Sequence, residues 1–489
     1  MNNMTGTNST TNTTSASSQS PQHPRRQPIG PKDIVLVQGR YLVVHGDERF
    51  LMQGVAFPTA PVSPFRNDDN YDEQGWIAVL EQLANDTAVN TVRVYEMDCR
   101  HTHKYDGYLQ RAAELGIYVI IPLTTRAGDG VLNRNQAAPH CYNQALYDYG
   151  RTCMDLMARH ANIVAGLIGN EVMNSLETWP AAPCIQAYAR DLKFYTEAAV
   201  TAPQTTNNST TWVRTSYPLM YASQHDSPTA AVLTNDAMKL TEQYLACRND
   251  DDDSAVPYVD IFGINIESWC SSVQTFDYEE DGTTESVYHA LYETFRDTAT
   301  LPTVFSEMGC ATSDFNRENG LPQVRDWYQV SAVLDDMVDT WSGFCVYTYD
   351  GNVLFRMMNG TWNGHDVLEP MADYDNFRYA LQKYHQDHPD TLRVNRTAMI
   401  MTMQMDRPSC EVVREQIHKD WKVKLYPLER MPSYYQRESH RMLRIVAGVA
   451  VFGLLVLLGV CYCKNRNNEK KVLEKDGPTE TDRLLSNKA

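Results

Sequence analysis

Between Tyr41 and Tyr349 the chain alternates short apolar runs with longer stretches whose apolar residues recur every three or four positions. Tyr41-Leu42-Val43-Val44, a turn at His45-Gly46-Asp47 and Phe50-Leu51-Met52 predict a hairpin leading into a first strand at Gly54–Phe57. Further strands are predicted at Thr91–Tyr95, Tyr118–Ile121, Ile163–Ile168, Trp212–Ser216, Ile261–Ile264, Thr303–Ser306 and Gly343–Tyr347. The helices predicted between them include Trp76–Ala84, Tyr105–Leu115, Asn143–His160, Ile185–Val200, Ser286–Asp297 and Val324–Trp341. Eight strands alternating with helices is the pattern of an α/β chain folded as a (β/α)8 TIM barrel, with residues 32–385 as its domain.

Different patterns flank this region. Residues 1–31 are rich in Ser, Thr, Asn and Gln and read as disordered low-complexity sequence. No secretory h-region is visible there, so either the true start lies upstream of Met1 or a later membrane segment does the targeting. Residues 386–443 read as a polar stalk, with a small helix around Cys410–Asp420. The span 444–463 is expected to be a single transmembrane helix. Ile445–Cys463 is nineteen residues without a charge, close to the roughly 30 Å hydrocarbon core at about 1.5 Å per residue. The basic residues Lys464, Arg466, Lys470, Lys471 and Lys475 favour a cytosolic tail at 464–489. Two readings stand for Cys461 and Cys463: palmitoylation or plain lipid contact. Two also stand for the tail's Glu480, Leu484 and Leu485: a dileucine signal read by clathrin adaptors, or an unstructured end.

Composition narrows the class. A formal charge of −18 speaks against a nucleic-acid partner. Nine cysteines precede the apolar span, none in a C-x-x-C pair, which favours an oxidising compartment over zinc. Nine is odd, so at least one thiol stays free or pairs outside the chain. Sequons at Asn85, Asn207, Asn208, Asn359 and Asn395 fit the same compartment. His101-Thr102-His103 lacks a third ligand at suitable spacing, and the acidic run Asp250–Asp253 lacks EF-hand spacing. No metal or cofactor is predicted.

Two of the strands deliver a glutamate at their C-terminal ends. Ile163–Ile168 runs into Gly169-Asn170-Glu171, and Thr303–Ser306 into Glu307, with room between them for about three βα units. Paired carboxylates at the C-terminal face of a parallel barrel are what a retaining glycosidase requires. Glu171 is the candidate general acid/base and Glu307 the candidate nucleophile. An arginine within the Thr/Val strand that holds Arg93 wants a buried partner, and Glu307 is the candidate it would keep ionised. Asn170 is placed to hold a sugar 2-hydroxyl.

At these residues the chain resembles glycoside hydrolase family 72, the membrane-anchored β-1,3-glucanosyltransferases of fungal cell walls. Asn90–Tyr95, Gly169–Val172, Phe262–Asn265 with Trp269-Cys270, Phe305–Cys310, and Trp341–Gly343 with Val346–Tyr349 occur in order across roughly Gln38 to Asn352. The resemblance implies a retaining double displacement on β-1,3-glucan, in which the glycosyl-enzyme passes to another glucan chain. It implies donor-site positions at Tyr95, Asn170, Tyr347 and Tyr349, with Asn265 close by. It also implies a Cys270–Cys310 disulfide, and matches Cys247 without an evident partner.

The chain departs from the family at several places. Ile266-Glu267-Ser268 stands where the family commonly carries a Tyr that orients the nucleophile, and a third carboxylate there is expected to perturb both catalytic groups. Pro122-Leu123-Thr124-Thr125 replaces an Asp-Leu-Ser loop, with Asp129 the nearest acidic candidate and Asn133-Arg134 retained. Gln224-His225-Asp226 matches an Asn-Asp-Asp stretch only in part, and the carbohydrate-binding module of some members is not expected here. The first reading is a single-pass membrane β-1,3-glucan transglycosylase with its barrel lumenal or extracellular, at the plasma membrane or an endosomal or vacuolar membrane. The alternatives are a hydrolytic endo-β-1,3-glucanase and an inactive membrane-anchored glucan-binding protein.

Overall fold

The computed structural model describes residues 27–57, 72–101, 103–125, 131–201, 214, 216–225, 235–248, 258–267, 287–309, 327–349, 355–359, 368–390, 392–394 and 407–441, with scattered positions beside these. Eight strands close into an all-parallel barrel: β1 Met52–Phe57, β2 Thr91–Val94, β3 Tyr118–Pro122, β4 Ile163–Asn170, β5 Leu219–Gln224, β6 Ile261–Ile266, β7 Thr303–Met308 and β8 Trp341–Val346. Each pairs with its sequence neighbours, and β8 closes onto β1 with Gly343 opposite Met52. That seam fixes the residue type: Gly343 has φ +109°, and a Cβ there would lie 2.0 Å from the Met52 carbonyl oxygen. The helices are α1 Glu73–Asp86, α2 Asp106–Glu114, α3 Gln144–Arg159, α4 Ala182–Thr201, α5 Asn235–Ala246, α6 Val287–Arg296, and α7 Tyr328–Ser331, which runs into a wide π turn at Ala332–Asp336. After β8 come α8 Ala372–Asp387 and α9 Cys410–Trp421.

The barrel's lower interior is apolar. Met52, Ile120, Val164, Met220, Ile261 and Val304 pack together with Val35 and Leu42 from the N-terminal hairpin, which plugs the end opposite the strand C-termini. In that hairpin Tyr41–Val44 pairs with Glu48–Arg49, the Phe50 N–H extends the ladder to the Leu42 carbonyl at 2.9 Å, and Met52 already belongs to β1. His45 (φ +52°) and Gly46 (φ +91°) make the left-handed turn that a two-stranded ribbon's twist favours. Arg49 fastens the plug to the start of β8 by donating to the Trp341 carbonyl at 3.0 Å.

Three expectations from the sequence are corrected. The fifth strand is Leu219–Gln224, not Trp212–Ser216. Arg214 is instead a buried clamp outside any strand, donating to the carbonyls of Met157 (3.1 Å), His160 (2.7 Å) and Ile163 (2.5 Å) at the α3–β4 corner. The helix expected to run to Trp341 stops at Asp336, because Trp341 starts β8. The expected stalk does not begin at residue 386, since one compact unit extends to Met431. Within it Val394 packs on Tyr41 and Val43, Cys410 is bonded to Cys247, and Trp421 meets Trp179 edge-on at 4.8 Å. The match of Cys247 that lacked a partner is thereby completed.

Two further disulfides, Cys99–Cys153 and Cys141–Cys184, tie the loops after β2 and β3 to α3 and α4. Cys345 is the free thiol among the described cysteines, and burial pushes it up to about 12, so it is an inert core side chain. Cys270 and Cys310 lie outside the described residues, as do residues 1–26. The second unit is 432–489. Among its described residues no helix is long and apolar enough to cross a membrane, and much of 445–463 lies outside the described set. The described positions in that span are helical, and Val449, Leu455, Val456, Leu457, Leu458 and Val460 are all exposed.

Candidate active site

Above the apolar layers, at the C-terminal ends of the strands, the barrel interior turns polar. Arg93 is fully buried there and reaches three strands. It donates to the Ser306 carbonyl (2.7 Å), to Asn170 Oδ1 (2.7 Å) and to Asn265 Oδ1 (3.2 Å), and lies 3.2 Å from Glu307 Oε1. Tyr95, two residues on and so on the same side of the chain, stacks against the guanidinium at 4.5 Å and donates its hydroxyl to Glu307 Oε1. Asn265 links the two acids. Its amide nitrogen donates to Glu171 Oε1 at 2.7 Å and to Asn170 Oδ1 at 3.1 Å, while its amide oxygen accepts from Ser306 Oγ at 2.7 Å.

Each glutamate follows a register irregularity in its strand. Pairing of β4 with β5 shifts between Leu167 and Gly169, and pairing of β7 with β6 shifts between Phe305 and Glu307. Such irregularities re-aim side chains against the strict alternation of a strand, and here they turn both carboxyls toward one cleft. Glu171 also adopts φ +52°, a left-handed conformation that costs a non-glycine residue of order 1 kcal/mol or more. Its backbone is braced on both sides, by its own N–H on the Ala222 carbonyl (2.8 Å) and by Arg134 donating to its carbonyl (2.9 Å).

Burial pushes the Glu307 carboxyl above its ordinary range and the neighbouring Glu171 adds to this, while Arg93 and the hydrogen bonds to Tyr95 and Glu267 pull the other way. The sequence reading of Arg93 as the cation beside Glu307 matches the geometry. Desolvation of that carboxyl is the opposing force that reading left out. Burial likewise raises the Tyr95 phenol, which keeps it a neutral donor to the carboxylate.

Glu171, Glu307, Arg93, Tyr95, Asn170 and Asn265 therefore share one constellation. Tyr347 lies beside Tyr95, half-buried, with its ring edge-on to Phe355 at 5.4 Å and its carbonyl accepting from Arg325 at 2.9 Å. Tyr349 is oriented differently in the contacts described. It is fully buried and turned toward α1, packing on Phe57 at 4.9 Å and donating to Gln82 Oε1 at 2.9 Å. Ser306 and the Arg134 bond to the Glu171 carbonyl contribute contacts that no role in the sequence reading anticipated. Asp129 and Asp226 lie outside the described residues.

The glucanosyltransferase model of glycoside hydrolase family 72 matches residues 31–385. Protein EPD2 of Candida maltosa is 27% identical over 365 residues, covering 71% of this chain and 56% of its own length. The 1,3-beta-glucanosyltransferase gel1 of Aspergillus fumigatus is 27% identical over 345 residues, covering 69% and 63% respectively. The chain thus spans about three-fifths of the length of these relatives. Saccharomyces cerevisiae Gas2p shares the fold, with a TM-score of 0.56 at 21% identity over 78% of this chain and 70% of the other. A second Gas2p structure, in complex with laminaritetraose and laminaripentaose, gives 0.51 over 74% and 69% at the same identity.

Proposed function

The chain belongs to glycoside hydrolase family 72, the glucanosyltransferases, and from that premise we propose that it is a retaining β-1,3-glucan transglycosylase. One observation carries the reading: Glu307, beside Arg93 and Tyr95, and Glu171, bonded to Asn265, converge through a single shared network. A retaining route uses one carboxyl as nucleophile and a second as acid and then base. A Glu307 oxygen attacks the anomeric carbon of an internal linkage, the glycosidic C–O bond breaks, and the departing oxygen takes the proton of Glu171. An acceptor 3-hydroxyl then gives its proton to Glu171 and attacks the same carbon, and Glu307 leaves as a carboxylate. Asn170, held by Arg93 and Asn265, orients the 2-hydroxyl, where hydrogen bonds strengthen as positive charge develops on the ring. The relatives' names support transfer over hydrolysis.

We also propose that the barrel is lumenal or extracellular and anchored by the 444–463 span. The three disulfides and the exposed apolar helical positions in that span support this. A cytosolic tail would then offer Glu480, Leu484 and Leu485 to an adaptor.

Incubation with reduced laminari-oligosaccharides tests the reaction. Products longer than the substrate are expected, and Glu171→Gln and Glu307→Gln should each abolish them in folded protein. Shorter products alone would mean hydrolysis, no products would mean a binding protein, and near-normal turnover in either variant would remove the assigned roles.

A further inference from the structure

Arg325, three residues before α7, is a second buried cation near the strand ends, only 2% exposed. Its counter-ion is Asp373 of α8, which accepts from the Arg325 backbone N–H at 2.6 Å and from Nε at 3.1 Å. The Trp327 ring stacks on the guanidinium at 4.4 Å, and Asn376 donates to the Arg325 carbonyl at 2.7 Å. Held in this way, the guanidinium turns its two terminal nitrogens on the chain that leaves β8. Nη1 donates to the Tyr347 carbonyl at 2.9 Å and Nη2 to the Phe355 carbonyl at 2.6 Å. An ion pair with Asp373 needs neither carbonyl. A planar fork of five donors is what lets one side chain hold all three partners.

The first of these carbonyls is bonded into the strand that carries Glu307. The Tyr347 N–H donates at 2.8 Å to the carbonyl of Met308, the residue after Glu307. Tyr347 is therefore tied to the β7 exit through its N–H and to Arg325 through its carbonyl. Gly309 lets the two chains meet: a Cβ there would lie 2.9 Å from the Tyr347 carbonyl oxygen and 3.4 Å from Arg325 Nη1. The Phe355 carbonyl also accepts from the Thr348 N–H at 3.1 Å, and the Thr348 hydroxyl donates to the Ala56 carbonyl of β1 at 3.0 Å. The exits of β7, β8 and β1 are joined at this one junction.

We propose that Arg325 is a positioning residue for the transfer reaction: by holding the Tyr347 and Phe355 carbonyls it fixes the β7–β8 junction and with it the aim of the Glu307 carboxyl. This rests on Glu307 being the nucleophile. Arg93 and Tyr95 hold that carboxyl at its tip, and Arg325 steadies the backbone that carries it. Without the fork the Tyr347 peptide is free to turn, its bond to Met308 slackens, and the carboxyl drifts from the anomeric carbon. A misplacement of about 1 Å costs on the order of a hundredfold in rate. The contacts that bind the sugar remain, so the loss falls on kcat.

The test measures kcat and KM on reduced laminari-oligosaccharides with full-length protein, at a temperature where each variant keeps the wild-type far-ultraviolet signal. Asp373→Asn removes the counter-ion's charge and leaves both carbonyl bonds, so it should lower the urea midpoint while kcat stays near wild type. Arg325→Met combined with Asp373→Asn leaves no buried charge unpaired, and should lower kcat by about a hundredfold with KM nearly unchanged. Arg325→Lys keeps a cation beside Asp373 but has no fork to span the carbonyls, and should lose about tenfold or more in kcat. A kcat near wild type in Arg325→Lys and in the double variant overturns the proposal. So does a KM that rises in step with the fall in kcat, or a fall in Asp373→Asn as deep as in the double variant. If wild type turns over no glucan, the functional reading fails, and amide hydrogen exchange still tests the junction. The Tyr347 amide should exchange about tenfold faster in the double variant than in Asp373→Asn, and equal rates overturn the proposal.

Discussion

Replacing Arg93 by methionine removes the cation that, among the described residues, compensates Glu307 in its buried position, while keeping much of the side-chain volume. At 3.2 Å and an effective dielectric of about 20, the lost attraction is on the order of 5 kcal/mol, equivalent to nearly four pKa units. The carboxyl escapes that cost by taking up a proton. Burial already raises Glu307, so in Arg93→Met its folded-state pKa lies far above the unfolded value near 4.3. A group raised in this way binds more protons folded than unfolded between the two values. Stability is therefore retained below the unfolded value and falls as pH rises through the window, by about 1.4 kcal/mol per unit. Urea melts of wild type and Arg93→Met from pH 5 to pH 8 should diverge steadily, with the variant losing midpoint as pH increases and approaching a total deficit of about 3–5 kcal/mol. Glucan turnover at neutral pH should fall with it, since a protonated Glu307 is no nucleophile. Parallel melts across that range, or turnover near wild type, would refute the claim that Arg93 sustains the charge on Glu307.

Two other outcomes follow from the packing. Cys410→Ser opens a loop of 163 residues, worth up to about 5 kcal/mol on chain-entropy grounds, and should expose 392–431 to limited proteolysis while the barrel's far-ultraviolet signal persists. Tyr349→Phe deletes the bond to Gln82 and should cost about 1 kcal/mol in melts without changing KM for oligosaccharide, whereas a tyrosine lining the donor site would raise it.

Seven of the eight strands were legible because each is a short apolar run, and both candidate carboxylates because each ends one. The fifth was missed for a physical reason. Trp212-Val213-Arg214-Thr215 has the β-branched and aromatic content of a strand, but Arg214 is spent on three carbonyls at the α3–β4 corner. The real β5, Leu219–Gln224, carries no β-branched residue, and tertiary burial of its first five positions overrides that weak local preference. The segment read as a stalk misled in the same way. Its composition is polar, but one disulfide and one tryptophan contact secure it, and neither depends on average hydropathy. Motif order likewise singled out Arg93, Asn170 and Asn265, which the structure joins in one network, but order along a strand exit does not say which way the Tyr349 ring turns. The register irregularities before Glu171 and Glu307 leave no mark in composition.

The polar layer of the barrel explains why so strained an arrangement is kept. Arg93 alone would be a buried charge, Glu307 alone a buried carboxylate, and Asn265 alone an amide with both ends unsatisfied; each is expensive. Joined, they satisfy one another: Arg93 binds Glu307, Asn170 and Ser306, and Asn265 spans Arg93, Ser306 and Glu171. A half-built version of this network would be worse than an apolar core, so the layer is held as a unit. That is the condition electrostatic catalysis needs, because donors already aimed at the reacting carboxylates have little reorganisation left when charge shifts between them. The left-handed backbone at Glu171 belongs to the same logic. Arg134 and Ala222 fix it from opposite sides, so relaxing its φ would break two hydrogen bonds and withdraw the carboxyl from Asn265.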